Sequence, residues 1–338
     1  MGKVDMSLTK QIDTDHQVLP IWSDVIPGNC MELKSTVMEG KKRHMGKLST
    51  ILLTLRWLKS LVNTQYVDSK RIIDSYVMNL VAREDKDYHE TFTDVPYLIP
   101  YIAKGSKKAV IVVPGGGYCF KSMESEGTQI AEKLQANGIT AFVLWYRSCP
   151  YYMPIPLLDM QRAVRVVRSN AEKYGYSKDE ISAVGFSAGG AQISLFANIF
   201  QGREVTLDGY KRDSIDDVDD RLNYLALVYP ALNYDYNYPM MFASFPANEV
   251  RNETTRLKLK EEYDAIKHFR CAELPHYFCY GTKDTMVSLE AFEQYRKLAI
   301  NPNNKLTVVE GAGHGYGASV DGTYAYWLDE YIEWMKER

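Results

Sequence analysis

From about residue 107 onward the chain alternates short apolar, β-branched runs with segments of helical periodicity. AVIVV at 109–113, TAFVLWY at 140–146, ISAVGF at 181–186, YLALVY at 224–229, HYFCYG at 276–281 and KLTVVEG at 305–311 read as strands. Their nearly unbroken apolarity is that of strands covered on both faces. Between them, TQIAEKLQAN ending at Gly138, LLDMQRAVRVVRSNAEKYG ending at Gly175, and LEAFEQYRKLA before Asn301 carry apolar residues at helical spacing, with each glycine placed as a C-cap. In TYAYWLDEYIEWMKER, Tyr324, Trp327, Leu328, Tyr331 and Trp334 recur at helical intervals and predict a packing helix. The alternation as a whole predicts an α/β fold with a mostly parallel central sheet and helices on both faces.

The pattern differs before this region. Segments 48–63 and 65–81 read as helices, with no strand-and-glycine series of the later kind. Residues 1–90 are therefore expected to form a helical extension that packs on or caps a catalytic domain of residues 91–338, within which about 231–270 reads as a cap insertion. The longest apolar stretch, LSTILLTLRWLKSLV at 48–62, is interrupted by Arg56 and Lys59. It falls short of the roughly 20 residues that cross a bilayer, so an amphipathic helix is expected and no membrane span.

Composition narrows the field. The 338 residues, 46% of them hydrophobic, suffice for one large α/β domain with an extension. Lys+Arg 40 against Asp+Glu 43 gives a net charge of -3, so nucleic acid and anionic membrane surfaces are not expected partners. Cys30, Cys119, Cys149, Cys271 and Cys279 show neither CxxC spacing nor even pairing, which points away from disulfides and zinc and toward a reduced, cytoplasmic setting. The charged N-terminus lacks the apolar core of a secretory signal. The acidic block EVTLDGYKRDSIDDVDDRL at 204–222 lacks the spaced glycine and distal glutamate of a calcium loop and is read as a solvated excursion. No metal or cofactor is expected.

The candidate chemistry lies at strand ends. AVGFSAGGAQISLF at 183–196 holds GxSxG as Gly185, Ser187 and Gly189, where a strand gives way to a helix. Such a turn lifts a serine hydroxyl off the sheet and points the next N–H, that of Ala188, toward a developing oxyanion. Alone, the pattern also fits a tight turn with an exposed serine. A serine hydroxyl needs a base, and the base an orienting acid. Asp284 in CYGTKDTMVS and His314 in VVEGAGHGYG each follow a strand, in the chain order Ser, Asp, His. His16, His44, His89, His268 and His276 lack this placement and are read as surface or core residues. Asp159 precedes the serine and is expected to pair with Arg162 or Arg165. The glycines of VIVVPGGGYCF at 110–120 could cradle a phosphate or an oxyanion, but PGGGY matches neither GxGxxG nor GxxxxGK. The oxyanion reading stands.

With VPGGGY, GFSAGG, GTKDTMV and GAGHGYG in hand, together with FVLWYR at 142–147 and PLLDMQRAVRVVRSNAEKYG at 156–175, the chain resembles the α/β-hydrolase esterases over about residues 107–338. The resemblance is to the branch near acetyl-xylan and other carbohydrate esterases and to the hormone-sensitive-lipase-like carboxylesterases; Glu126 with Gly127 also matches a position behind the glycine loop. It implies Ser187 as nucleophile, His314 as base, Asp284 as orienting acid, and Gly116, Gly117 and Ala188 as oxyanion hole. Tyr118 is a candidate substrate contact. Pro114 stands where lipase-type loops carry histidine, as in the carbohydrate-esterase-like branch, which implies small acyl groups on a sugar. The expected partner is a small-molecule ester, an acetylated sugar among the candidates, and a homo-oligomer is compatible with the sequence. Aryl formamide hydrolysis, peptidase-like hydrolysis and a non-catalytic binding role on the same scaffold are the alternatives. Stacking of NYDYNYPMM tyrosines at 233–241 on sugar rings competes with ordinary packing.

Overall fold

The computed structural model of the chain describes residues 95–338 apart from 120, 149–150, 205, 208–209, 236–237 and 320–321, with 238–239 as backbone only, together with 18–23, 26–28 and the backbone of 36–41 and 87–92. The helices expected over 48–63 and 65–81 lie outside the described residues. Ten strands are present among the described residues: β1 (Leu19–Pro20), β2 (Thr36–Lys41), β3 (Asp87–Phe92), β4 (Tyr97–Tyr101), β5 (Ala109–Val113), β6 (Thr140–Trp145), β7 (Ile181–Phe186), β8 (Leu225–Val228), β9 (His276–Gly281) and β10 (Lys305–Val309). Eight form one sheet in the order β1-β4-β6-β5-β7-β8-β9-β10, and β2 pairs with β3 separately. β1, β4 and β6 pair antiparallel, and every other contact in the large sheet is parallel.

The helices are α1 (Gln129–Ala136), α2 (Ile155–Ser169), α3 (Ala171–Tyr174), α4 (Ala188–Leu195), α5 (Tyr238–Ser244), α6 (Ala247–Arg251), α7 (Glu253–Glu262), α8 (Leu289–Leu298) and α9 (Tyr326–Lys336). α5, α6 and α7 fall in the stretch read as an insertion between β8 and β9. Every residue of β5, β6, β7 and β8 is buried, because successive side chains feed two cores. Along β5, Ala109, Ile111 and Val113 face the core built with α2, α4 and α8. Val110 and Val112 face the opposite core, closed by α1 and by Trp327, Tyr331 and Trp334 of α9. Gly138 and Gly175 end their helices with φ of 80° and 82°, as their C-cap placement predicts.

This connectivity places the site. From β5 the chain passes through α1 to β6 on one side, then through α2 back to β7 on the other side of β5. The carboxyl ends of β5 and β7 thus lie side by side, with Val113 opposite Gly185. Such a reversal opens a crevice beyond the strand ends.

Two readings of charged residues are corrected. Asp159 pairs with Arg147, Nη2 to Oδ1 at 2.7 Å, not with Arg162 or Arg165. The sequence reading looked along the helix, whereas the partner comes from the end of β6. Arg162 and Arg165 instead bind the acidic block: Arg162 meets Asp213 at 2.5 Å and Asp216 at 3.3 Å, and Arg165 meets Asp216 and Asp220. The block is therefore partly folded down on α2, with Asp216 and Asp220 buried, rather than wholly solvated.

Candidate active site

Ser187 sits between β7 and α4 with φ 51° and ψ -116°, a strained conformation for a residue with a side chain. Three backbone hydrogen bonds hold the turn: the Ser187 N–H donates to the Val228 carbonyl, and the Ser187 carbonyl accepts from the N–H groups of Ala191 and Ala231. The flanking glycines have a steric cause. A methyl on Gly185 would lie 2.8 Å from the Gly190 nitrogen, and one on Gly189 would lie 2.8 Å from the Pro114 carbonyl. The GxSxG spacing thus records how closely the serine turn packs on the glycine loop and on its own helix.

The three residues singled out in the sequence meet. His314 Nε2 is 2.8 Å from Ser187 Oγ, and His314 Nδ1 is 2.7 Å from Asp284 Oδ2. Asp284 stands after β9 and His314 after β10, so all three groups hang from neighbouring carboxyl ends of the sheet. The other carboxylate oxygen of Asp284 accepts from the N–H groups of Met286 and Val287, which fixes the acid independently of the histidine. Asp284 and His314 side chains are largely buried, at 6% and 12% exposure.

The glycine loop after β5 runs beside this chain. Gly116 and Gly117 take φ of 128° and 61°. Among the described residues no hydrogen bond is donated by the N–H groups of Gly116, Gly117 or Ala188, so these donors are available to a ligand. Gly115 is pressed against the serine turn, its N–H donating to Glu126 Oε2 at 2.7 Å. Tyr118 is buried, φ 59°, its ring edge-on to Tyr146 and its hydroxyl unbonded among the described residues. Burial pushes that phenol far above its ordinary range.

Sequence reasoning missed Tyr229, which is fully buried at the end of β8. Its hydroxyl donates to Glu126 Oε1 at 2.9 Å and accepts from the Gly317 N–H at 2.9 Å, and its ring lies 5.0 Å from that of His314. Only Glu126 of this group carried a signal, through its place behind the glycine loop.

The remaining candidates lie apart from the triad. His276 is a core residue and His268 bonds the Glu261 carbonyl, while His16 and His44 lie outside the described residues and His89 is described only as backbone. Tyr234 packs into the core against Phe245. No group of side chains among the described residues could hold a metal ion, and no helix there is long and apolar enough to cross a membrane. A hollow of only about 10 Å³ lies between Ala231–Asn233 and Met286–Ser288, and neither it nor the two larger hollows near α2 is lined by a triad residue.

A mostly parallel eight-stranded sheet, a serine on a sharp strand-to-helix turn, and an acid and a histidine on the next strand ends define the α/β-hydrolase fold. Its match to solved structures agrees: the acetyl ester-xyloside bifunctional hydrolase from Caldicellulosiruptor lactoaceticus superposes with TM-score 0.63 at 27% identity, covering 73% of this chain and 89% of that one. Within the fold, residues 97–297 match the family described as BD-FAE, and the chain belongs to it. Among curated relatives, an acetylxylan esterase of Xylanibacter ruminicola is 32% identical over 130 residues, 38% of this chain and 24% of that protein. The endo-1,4-beta-xylanase B of Butyrivibrio fibrisolvens is 35% identical over 118 residues, 33% of this chain and 18% of that protein. The chain thus spans a quarter or less of these two relatives.

Proposed function

We propose that this chain is a serine carboxylesterase acting on esters of short acyl groups, acetyl first among them, with carbohydrate as the alcohol class. The observation that carries the reading is the unbroken hydrogen-bonded chain from Ser187 through His314 to Asp284. His314 takes the Ser187 proton as Oγ attacks the ester carbonyl, and Asp284 stabilises the imidazolium. The resulting oxyanion is held by N–H groups of Gly116, Gly117 and Ala188 at the start of α4, whose dipole adds favourable potential. Collapse breaks the ester C–O bond, and His314 returns the proton to the leaving alcohol. Water, deprotonated by His314, then hydrolyses the acyl-enzyme and restores Ser187.

The preference for short acyl groups rests on the acetyl esters that the names of an acetylxylan esterase and an acetyl ester-xyloside hydrolase give for those relatives. Carbohydrate as the alcohol rests on the names of the xylan- and xyloside-acting relatives and on Pro114 in the glycine loop. Tyr118, whose buried hydroxyl bonds nothing among the described residues, is proposed as a substrate contact. The test is a series of aryl esters from acetyl to decanoyl and acetylated xylo-oligosaccharides, with Ser187→Ala as control. Hydrolysis should peak at the shortest esters, release acetate from the sugar and vanish in the alanine variant. A long-chain optimum overturns the substrate class, and full activity in Ser187→Ala overturns the mechanism.

A further inference from the structure

We propose that Glu126 and Tyr229 are positioning residues that lock the glycine loop after β5 to the histidine loop after β10 through one buried carboxylate–phenol pair. The inference rests on the reading of Ser187 and His314 as nucleophile and base. Glu126 is 3% exposed and Tyr229 0%. One carboxylate oxygen accepts from the Gly115 N–H at 2.7 Å, the other from the Tyr229 hydroxyl at 2.9 Å, and that hydroxyl accepts from Gly317 at 2.9 Å. The chain Gly115, Glu126, Tyr229, Gly317 therefore links the segment holding the oxyanion donors to the segment holding the base.

Independent contacts place the same two loops together. The Ala318 N–H donates to the Ser125 carbonyl at 2.9 Å, and a methyl on Gly317, whose φ is 47°, would stand 2.6 Å from that carbonyl. Tyr229 leaves its strand with φ 37°, and its ring meets those of His314 and Tyr316 at 5.0 and 4.5 Å. The direction of the hydrogen bonds is fixed. Burial first, and the Glu126 carboxylate second, hold the Tyr229 phenol protonated, so it donates to Glu126 and accepts from Gly317. Neither residue touches the reacting atoms; both act through the loops that do.

A carboxylate is required because each of its oxygens faces a donor. Gly115 N–H and Tyr229 O–H donate to different oxygens of Glu126. Glu126→Gln has nearly the same shape but can accept only one of them, because its amide nitrogen confronts the other as donor against donor. Tyr229→Phe keeps the ring and strands the Gly317 N–H.

The experiment measures kcat and KM on an acetyl aryl ester for Glu126→Gln, Tyr229→Phe and the double variant, per active site titrated with a fluorophosphonate, beside melting curves and Ser187→Ala. Each single variant should lose roughly 10- to 100-fold in kcat per titrated site, as small misplacements of catalytic groups do, with KM within about twofold. The double variant should lose no more than the worse single, since both break one chain. A purely structural role would lower the melting temperature and leave kcat per titrated site unchanged; that result overturns the proposal. Loss in only one single variant, or multiplying losses in the double, overturns it as well. An inactive Ser187→Ala beside relay variants at wild-type kcat sinks the relay alone, whereas an active Ser187→Ala removes the underlying mechanism and the relay with it.

Discussion

Replacing Asp159 by asparagine tests how far the fold depends on a single buried ion pair. The Arg147 and Asp159 side chains are both 0% exposed. Asp159 accepts from Arg147 Nη2 at 2.7 Å, Arg147 Nε at 2.9 Å, the Arg147 backbone N–H at 2.8 Å and Trp22 Nε1 at 2.8 Å. Both oxygens face only donors among these partners, so either orientation of an asparagine amide points N–H groups at N–H groups. The guanidinium also loses its counter-charge without gaining water. Breaking one side of a buried pair costs about 3–5 kcal/mol, with little reduction for solvent screening at this burial. With a urea m value of about 3 kcal/mol/M, the unfolding midpoint should fall by roughly 1 M or more. The assay is urea unfolding followed by tryptophan fluorescence, to which Trp22 contributes through its contact with Asp159. An apolar replacement of both partners, Arg147→Met with Asp159→Leu, should recover much of the loss, because it removes both desolvation costs. Some remains, since the Pro27 carbonyl loses the bond from Arg147 Nη1. An unfolding free energy for Asp159→Asn within about 1 kcal/mol of wild type, or a double variant less stable than the single, refutes the reasoning.

Two further outcomes follow from the site and the core. In Gly115→Ala the new methyl would meet the Phe186 carbonyl at 2.5 Å and Ser187 Cβ at 2.8 Å, so the glycine loop must move off the serine turn. kcat should fall on the order of 100-fold with the fold retained, read by ester hydrolysis and circular dichroism, and wild-type kcat would refute the packing argument. His276 is held neutral, its pKa lowered by burial from 6.5 to about 4 against a raising bond to the Leu274 carbonyl. Between these values the unfolded chain binds the extra proton, so stability is full above about 6.5, falls as pH drops toward 4 and levels off below, by about 3 kcal/mol in all. Urea unfolding from pH 7 to 4 should show a steeper loss in the wild type than in His276→Asn, and parallel curves would refute it.

The parallel strands were legible because burial on both faces writes continuous apolar runs, so AVIVV, ISAVGF and HYFCYG match β5, β7 and β9 end to end. β4 went unread because YLIPY is short and carries Pro100, a residue tolerated there in a strand near the sheet's antiparallel edge. Ser187, Asp284 and His314 were legible because each carries a local signal: a glycine frame, or a polar residue just past a strand. In the Glu126–Tyr229 pair only Glu126 carried one and nothing marked the pairing, its partners being 103 residues apart and the next link, Tyr229 to Gly317, spanning 88. Asp159 was misassigned for the same reason: helical spacing sees neighbours on one helix, and its cation sits on the adjoining strand end.

The placement of the base on the last strand of the sheet also orders events during synthesis. Ser187 emerges 127 residues before His314, so at about 5–20 residues per second a growing chain carries the serine for on the order of 10 s with no imidazole to deprotonate it. If Ser187 acts as proposed, its base arrives only with the pairing of β10 on β9, from Lys305 opposite Tyr277 to Val309 opposite Gly281. On the proposed mechanism, the first appearance of ester hydrolysis would then serve as a clock for completion of the sheet.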